Sequence, residues 1–301
     1  MKLKNYIAGH WVEGPGNGQM LYNAVNGEEV ASASTESVDL EAVVHYARKI
    51  GGPALRKMTF QERGRMIKAL AFYLSELKLK YYPISYKTGA TKSDSWIDID
   101  GGIGTLFAYS SLRRKLPNQT FCTDGDLASL SKGNTFVGHH ILTPKQGVAI
   151  HINAFNFPVW GMLEKISVNL LAGVPAIVKP ATVSSFLAEA VFKDIIESKI
   201  LPEGALQLIC GSVRDLLNYV NYQDVVTFTG SASTGKKIRT HPRIIEESVP
   251  LTMETDSLNC SILGKDAKPG TANFEIFIKE LILLFYFIFE DCTYVCCKIL
   301  R

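Results

Sequence analysis

The sequence predicts an α/β protein built around a parallel β-sheet with helices on both faces. From about residue 147, short apolar segments typical of buried strands alternate with helical segments, and the strands are predicted at 147–152, 176–179, 206–209 and 225–228. Helices are predicted at 158–171, 184–199, 213–220 and 234–239, with a further strand at 258–263. Strands that alternate with helices form parallel sheets covered on both faces. Ligands of such sheets bind at the carboxyl ends of the strands, so the polar residues that follow each strand are the candidate site residues.

The segment before residue 147 begins with short strands. Residues 5–34 contain β-rich runs, and Asn26-Gly27 is a tight-turn signal between two of them. Ser37 is the predicted N-cap of a helix over 38–50, because apolar residues recur on one face of that segment.

Two longer helices and a hairpin follow. Thr59 and Glu62 form a predicted capping box for a helix from 60 to about 88. A second helix is predicted over about 93–114. Residues 129–148 are polar with strand-like pieces, which predicts a hairpin that leaves the main body.

The composition is ordinary for a soluble globular protein, with 301 residues, 47% hydrophobic and 20% charged. The net charge of +3 has interspersed signs, which gives no basis for nucleic acid or a membrane surface as a partner. The N-terminus lacks the apolar core of a signal peptide, and the longest apolar run, 281–289, is far shorter than the roughly 20 residues that span a bilayer. The cysteines are irregularly spaced, which gives no metal signature, and we expect reduced thiols in a cytoplasmic protein.

The most informative segment is 223–237, where an apolar strand runs into a turn of small residues and then a helix. In such a turn, after Gly230 and Ser231, the free N–H groups and the positive end of the helix dipole bind phosphate. The spacing from Gly230 to Lys236 also fits the P-loop of nucleoside triphosphatases, but that motif requires Ser or Thr next, where this chain has Lys237. A plain strand-to-helix turn is the alternative interpretation.

Three polar residues follow other strands, and each allows a functional and a structural interpretation. Asn156 either donates a hydrogen bond to a developing oxyanion or caps the next helix. Lys179 either reaches a ribose hydroxyl or phosphate, or is solvated in a loop. Glu254 lies in a mostly uncharged stretch, so it is either a partly buried general base with a raised pKa or a surface carboxylate.

Taken together, four segments resemble the aldehyde dehydrogenase superfamily in their order and spacing. They are Phe155-Asn-Phe-Pro158, Ile177-Val-Lys-Pro180, Phe228-Thr-Gly-Ser-Ala-Ser-Thr-Gly235 and Met253-Glu254. The resemblance implies a Rossmann-like coenzyme domain over about 1–280 that binds NADP or NAD in an enzyme that oxidises a small-molecule aldehyde. It also implies a homo-oligomer in which the hairpin at about 129–148 joins subunits.

Within the superfamily, the sequence is most similar to the dehydrogenase half of the bifunctional ring-opening proteins of phenylacetate degradation. The run Met253-Glu-Thr-Asp-Ser-Leu-Asn-Cys260 replaces the usual Glu-Leu-Gly-Gly of the superfamily. The segments Leu208-Ile-Cys-Gly-Ser212 and 274–280 point the same way. This similarity implies a CoA-linked semialdehyde as the substrate.

The resemblance also implies roles for individual residues. Asn156 would donate to the oxyanion, and Glu254 would activate the nucleophilic Cys or the hydrolytic water. Lys179 would bind the adenosine ribose, and Ser231, after Gly230, would contact the pyrophosphate. Many NAD-preferring relatives carry a Glu three residues after this Lys, where this chain has Thr182. Without that carboxylate a 2′-phosphate is not repelled, so we predict that NADP is accepted.

The resemblance stops after about residue 280. The superfamily continues with a Gly-Gln-x-Cys segment and a second α/β domain, whereas this chain continues with the apolar, cysteine-rich segment 281–301. Cys292 lies near the expected place of the nucleophile, and a chance position in a replaced segment is the alternative that we favour. We expect that a frameshift, altered splice or misread stop has replaced the true continuation and that the catalytic domain is missing. The alternative function is therefore an inert nucleotide-binding remnant.

Overall fold

The structure, a computed structural model, describes residues 1–256 and 262–279. The strands are β1 (Asn5–Ile7), β2 (His10–Val12), β3 (Gln19–Tyr22), β4 (Glu29–Ala33), β5 (Cys122–Ser129), β6 (Val137–Leu142), β7 (Ala149–Ile152), β8 (Ala176–Lys179), β9 (Leu206–Leu208), β10 (Val225–Gly230) and β11 (Leu251–Thr255). The α-helices are α1 (Leu40–Tyr46), α2 (Gly52–Arg56), α3 (Phe60–Leu77), α4 (Tyr82–Ser85), α5 (Lys92–Trp96), α6 (Gly102–Ser111), α7 (Pro158–Ala172), α8 (Ser185–Glu197), α9 (Ala232–Arg239) and α10 (Pro242–Glu246).

Seven strands form one sheet in the order β11-β10-β7-β8-β9-β1-β2. The first five are mutually parallel, whereas β1 is antiparallel to β9 and β2 is antiparallel to β1. The chain builds β7, β8 and β9 outward in one direction and then places β10 on the other side of β7. This reversal makes a switch point between β7 and β10, where sheets of this kind bind ligands. The predicted parallel α/β sheet is confirmed.

Helices cover both faces of the sheet, as predicted. On β8, Ile177 belongs to a buried cluster that includes Val44 of α1, and Val178 belongs to a second cluster on the opposite face. The second cluster includes Ile166 of α7 and Phe192 of α8. Neighbouring residues of a strand point to opposite faces, so a strand in which both are buried lies between two layers of helices.

The two N-terminal helix predictions differ in outcome. The capping box is confirmed, because the Glu62 N–H donates to Thr59 Oγ1 at 3.2 Å and the Thr59 N–H donates to Glu62 Oε2 at 2.7 Å. Ser37 as an N-cap is wrong: Asp39 caps α1, and its Oδ1 accepts from the Ala42 N–H at 2.9 Å. Both side chains are capable caps, and Ser37 instead adopts a left-handed conformation with φ 60°.

The longer predicted helices are interrupted. The helix predicted from 60 to about 88 ends at Leu77, and shorter turns follow that include Pro83, which lacks the N–H that a helix interior requires. A π-helical turn, Ile97–Gly101, separates α5 from α6 within the predicted 93–114 helix. The helix predicted at 213–220 forms only a 3₁₀ turn, Leu216–Tyr219. The strand predicted at 258–263 and the tail 281–301 lie largely or wholly outside the described residues.

A two-stranded hairpin is present, but its predicted position of 129–148 is corrected. Strand β5 pairs antiparallel with β6, so the hairpin starts at Cys122 and ends at Leu142. The prediction missed β5 because its polar and glycine-containing sequence is typical of a loop. The hairpin exposes large apolar side chains, including Leu127, Phe136 and Ile141.

Candidate functional site

The residues that the sequence singled out meet at one edge of the sheet. Lys179 ends β8, and its register partner on β7 is Ile152, which is itself beside Phe228 of β10. On the other side of β10, Thr229 is beside Glu254 of β11. Because these strands are parallel, their carboxyl ends and the loops that follow face the same side of the molecule.

Lys179 is buried, so the interpretation as a solvated loop lysine is wrong. Its side chain is 9% exposed, and its Nζ donates to Thr182 Oγ1 at 3.3 Å. Desolvation lowers the pKa of this amine to about 8. In the part of the chain that the structure describes, no carboxylate pairs with it. Such a cation, held beside a neutral hydroxyl, suits an anionic ligand.

A cavity of about 480 Å³ opens beside Thr182. Arg214 lines the same cavity, and its guanidinium donates to the backbone oxygens of Thr35 at 2.6 Å and Val38 at 3.1 Å. Sequence analysis missed Arg214, although it follows β9 and therefore occupies a strand end of the kind that marks a site. The cavity is thus bounded by cationic and hydroxyl groups as well as by Glu36.

The turn after β10 builds a helix N-terminus, and α9 begins at Ala232, two residues earlier than predicted. Ser231 caps the helix, because its Oγ accepts from the Thr234 N–H at 3.4 Å. The Ala232 N–H donates to Asp256 Oδ1 at 3.0 Å. A carboxylate of this chain therefore already lies at the anion-binding end of the helix. The signal that could have identified Asp256 is the replacement of the superfamily's glycines after Glu254.

Two glycines of this segment lie where an added Cβ would be too close to other atoms. A Cβ at Gly235 would lie 2.6 Å from Thr255 Cγ2, closer than side-chain atoms pack. A Cβ at Gly230 would lie 2.8 Å from the Phe228 ring. Gly235 therefore permits close contact between the helix and the strands, whereas Gly230 leaves room for the Phe228 ring of its own strand.

Asn156 is exposed in the loop between β7 and α7 and does not cap the helix, so the capping interpretation is wrong. The residue at the N-cap position is Phe157, which makes no side-chain cap. Asp98 supplies the cap instead, because its Oδ1 accepts from the Val159 N–H at 3.0 Å and the Trp160 N–H at 2.7 Å. The Asn156 amide is therefore not committed to the helix.

Glu254 is exposed, so of its two interpretations the surface carboxylate fits the described structure and the partly buried carboxylate does not. The physical reason is its place on β11, beyond which the described residues form no further strand of the sheet. Its carboxylate nevertheless acts on Lys165 of α7: burial lowers the pKa of Lys165, while the charges of Glu164 and Glu254 raise it. Sequence analysis missed Lys165, whose only signal was a lysine on a largely apolar helix.

A buried polar strip lies on the sheet beneath this edge, between the sheet and α7. His151 is fully buried, and desolvation lowers its pKa to about 3, so the imidazole is neutral. The Asn169 amide nitrogen lies 2.8 Å from its Nε2, and its Nδ1 has no hydrogen-bond partner among the described residues. Thr227 is the register partner of His151, and Asn153 follows two residues later on the same face.

Within residues 1–256 and 262–279, no group of three or more His, Cys, Asp or Glu side chains is placed to hold a metal ion. The two cysteines of this part of the chain are free: Cys210 is buried, and Cys122 lies in the hairpin. Cys292 lies outside the described residues. No described helix is both long and apolar enough to cross a membrane.

Curated relatives match nearly the whole chain. It is 43% identical over 283 residues to a 3,4-dehydroadipyl-CoA semialdehyde dehydrogenase of Aromatoleum evansii, which covers 94% of this chain and 55% of that protein. It is 26% identical over 291 residues to a D-glyceraldehyde dehydrogenase (NADP(+)) of Picrophilus torridus, which covers 93% of this chain and 54% of that protein. The chain therefore spans about half the length of these relatives.

Solved structures share the fold, and a family profile matches the sequence. A betaine aldehyde dehydrogenase from Staphylococcus aureus in complex with NAD+ aligns with a TM-score of 0.76 at 23% identity, over 94% of this chain and 54% of that chain. A putative aldehyde dehydrogenase from Bacillus subtilis aligns with a TM-score of 0.75 at 20% identity, over 93% of this chain and 60% of that chain. The aldehyde dehydrogenase family profile matches residues 11–279. The chain belongs to the aldehyde dehydrogenase family.

Proposed function

We propose that this chain supplies the coenzyme-binding half of an enzyme that oxidises an aldehyde to a carboxylic acid, with NADP or NAD as the hydride acceptor. The observation that carries the proposal is the meeting of the four motif segments at the carboxyl edge of the sheet. Family membership supports the reaction class, and the relative named for a CoA-linked semialdehyde supports a substrate of that kind. We further propose a cytoplasmic setting in aromatic catabolism, such as phenylacetate degradation.

Lys179 and Thr182 are the proposed site for the adenosine ribose and its 2′-phosphate. The buried Lys179 amine is hydrogen-bonded to a neutral hydroxyl, and a phosphate dianion would compensate its charge. Thr182 carries no charge that would repel that phosphate. This donor set fits NADP, and an unphosphorylated ribose could also accept hydrogen bonds from it.

Ser231 and the first turn of α9 are the proposed site for the pyrophosphate. The helix terminus attracts anions, and Gly230 and Gly235 keep the turn compact. Asp256 occupies the Ala232 N–H in the described structure. Two anions repel each other at one helix terminus, so we propose that pyrophosphate binding moves the Asp256 carboxylate away.

Asn156 and Glu254 are proposed to act on the aldehyde. A cysteine thiolate adds to the carbonyl carbon, and the Asn156 amide donates to the oxygen that gains the negative charge. A nicotinamide held at this edge would supply the acceptor for the hydride that leaves this carbon, and loss of that hydride would give a thioester. Glu254 takes a proton from water as the water attacks the thioester carbon, and the thiolate leaves as the acid forms. The proposed nucleophile is Cys292.

A second candidate is a nucleotide-binding protein that performs no turnover. It is favoured by the positions of the described cysteines. Neither of them is placed to act as the nucleophile beside Glu254, the proposed base. Cys210 donates from Sγ to Lys4 O at 3.3 Å, and burial raises the pKa of its thiol. Cys122 lies on β5 of the hairpin, which is a separate sheet from the one that carries Glu254. Neither is an accessible thiolate beside Glu254.

A binding titration followed by an assay tests both candidates on the purified 1–301 chain. NADP is expected to bind, and Thr182→Glu is expected to weaken NADP binding about tenfold or more through charge repulsion, while Thr182→Gln, a neutral control of similar size, has a smaller effect. Turnover of a CoA-linked aldehyde that Cys292→Ala abolishes would establish the enzyme. Binding without turnover would favour the second candidate, and absence of binding by either dinucleotide would contradict both.

We also propose that the β5–β6 hairpin joins subunits. Its exposed side chains include Leu127 at 63%, Phe136 at 63% and Ile141 at 60%, and contiguous exposed apolar surface marks interaction sites. Light scattering should give the mass of an oligomer for the native chain and a lower mass for the Leu127→Ser, Ile141→Ser double variant. An unchanged mass in a variant that still folds would argue against this contact.

A further inference from the structure

The first turn of α7 is held by a side chain that lies 61 residues earlier in the chain. Asp98 Oδ1 accepts from the Val159 N–H at 3.0 Å and from the Trp160 N–H at 2.7 Å. The Asp98 side chain is almost completely buried, at 2% exposed. Buried carboxylates are rare unless their oxygens are hydrogen-bonded, so this contact is a specific element of the fold.

The local sequence offers α7 no cap of its own. Phe157, at the N-cap position, makes no side-chain hydrogen bond to the helix, and Pro158 at the first position has no N–H. The first free donors are therefore those of Val159 and Trp160, and Asp98 binds both. Burial raises the pKa of Asp98 to about 7, while these two hydrogen bonds lower it. The helix dipole also favours an anion at this place.

The turn that carries Asp98 fits closely against the start of α7. A Cβ at Gly101 would lie 2.3 Å from the Trp160 ring, and a Cβ at Gly102 would lie 2.9 Å from Trp160 Cα. Asp98 and Gly101 both belong to the π-helical turn Ile97–Gly101, and such turns are frequent at functional sites. The turn and the helix start therefore form one rigid contact.

We propose that Asp98 is a positioning residue for Asn156: it fixes the first turn of α7 and thereby the direction in which the Asn156 amide points. Only Phe157 and Pro158 separate Asn156 from the capped residues, and the ring of Pro158 fixes its own φ. The proposal rests on the oxyanion-binding role proposed for Asn156. Asp98 does not touch the reacting atoms, so its effect is on geometry alone.

Asp100 provides a matched control on the same turn. Its carboxylate pairs with Lys78 and accepts from Tyr82 Oη, so it anchors the turn to the segment after α3 rather than to α7. Asp100→Ala therefore removes an acidic side chain from the same five residues without uncapping α7. The control separates a general loosening of the turn from a specific effect on Asn156.

Nuclear magnetic resonance of the 1–301 chain tests the proposal without turnover. In Asp98→Ala, we expect amide exchange at Val159 and Trp160 to rise about tenfold, the effect of one lost hydrogen bond, and the side-chain amide signal of Asn156 to shift or broaden. Asp98→Asn keeps an acceptor oxygen and is expected to leave that signal at its native position. Asp100→Ala is expected to leave both readouts unchanged.

Three results would overturn the proposal: a native Asn156 signal in Asp98→Ala, a displaced signal in Asp98→Asn, or an equal displacement in Asp100→Ala. Should Asp98→Ala not fold, Asp98→Ser replaces it, because its shorter side chain does not reach the two amides. Absence of dinucleotide binding would contradict the proposed function and leave this coupling measurable, so the two failures are distinguishable.

Discussion

Two positions on the carboxyl edge, Lys179 at the end of β8 and Glu254 on β11, differ in how far the described residues enclose them. At the end of β8, Lys179 is buried and hydrogen-bonded to Thr182, which lines a cavity. On β11, Glu254 is exposed because no described strand lies beyond it. The difference teaches that the proposed ribose site is formed by the sheet and its own loops, whereas the surroundings of the proposed base are not set by the described residues.

His151, in the interior beneath this edge, is fully buried. Its burial gives the largest expected effect, which is on the pH dependence of the free energy of unfolding. An unfolded His has a pKa near 6.5, whereas burial holds the pKa of His151 at about 3. As the pH falls below about 6.5, the unfolded chain binds a proton that the folded chain excludes, so unfolding becomes easier. The loss approaches about 1.4 kcal/mol per pH unit once the unfolded His is fully protonated, and it totals about 2.3 kcal/mol between roughly pH 6.5 and 4.5.

Urea unfolding of the native chain and of His151→Gln over this pH range measures the effect. The difference in slope between the two chains isolates His151, because Asp98 acts in the opposite direction: its raised pKa makes the folded state bind a proton as the pH falls. His140→Gln, an exposed site on β6, is the control and should keep the native slope. Equal slopes of the free energy of unfolding against pH in all three chains would mean that burial does not keep His151 unprotonated.

The second prediction concerns the contact of α9 with β10 and β11, at the Glu254 end of the edge. Gly235→Ala would place a methyl group 2.6 Å from Thr255 Cγ2, and we expect a loss of about 2 kcal/mol in the free energy of unfolding. Gly104 in α6 has no atom within 4 Å of the same added carbon. Gly104→Ala is therefore expected to gain up to about 1 kcal/mol. A loss at both glycines, or at neither, would contradict the close contact.

Sequence reasoning found the strands and the motif loops because their signals are local. Apolar runs identified β7, β8 and β10, and the capping box at Thr59 depends on residues three apart. Ser37 failed although it is also local, because Asp39 is an equally capable cap two residues later. Local patterns therefore locate elements well and choose poorly between neighbouring caps.

The missed site residues act across long sequence separations. Asp98 caps a helix 61 residues later, and Asp256 reaches an amide 24 residues earlier. Sequence reasoning also left the burial of Glu254 open, because the exposure of a strand residue depends on whether another element lies beside it. Helix packing places Asp98 against α7, and the pairing of β10 with β11 places Asp256 beside Ala232, so each contact depends on tertiary structure rather than on local spacing.

The third prediction tests the β8 end directly. The pKa of Lys179 is about 8, so its amine loses its positive charge as the pH rises above that value. The affinity for NADP is expected to fall about tenfold between roughly pH 7 and 9 if the charged amine binds the 2′-phosphate. Lys179→Arg, which stays charged throughout, should remove this pH dependence. Isothermal titration calorimetry measures both chains, and a pH-independent affinity in the native chain would argue against Lys179 as the phosphate ligand.

The smallest expected effect on the free energy of unfolding is at Glu254, the exposed position of the comparison. Because Glu254 is exposed, Glu254→Gln should change the free energy of unfolding by no more than about 0.5 kcal/mol, which is usual for surface positions. Asp224→Asn, at a fully buried carboxylate that pairs with Arg48, should lose far more and serves as the positive control.

The negative charge of Glu254 still stabilises the charged form of Lys165. It raises the pKa of Lys165, whereas burial lowers it. Glu254→Gln is therefore expected to lower the pKa of Lys165 further, which a pH titration of the Lys165 side-chain signal by nuclear magnetic resonance would detect. An unchanged Lys165 pKa in Glu254→Gln would mean that the two charges do not interact. A large loss of stability in the same variant would mean that another part of the protein buries the Glu254 side chain. The contrast between the two ends of the edge would then disappear, because Glu254 would be as enclosed as Lys179.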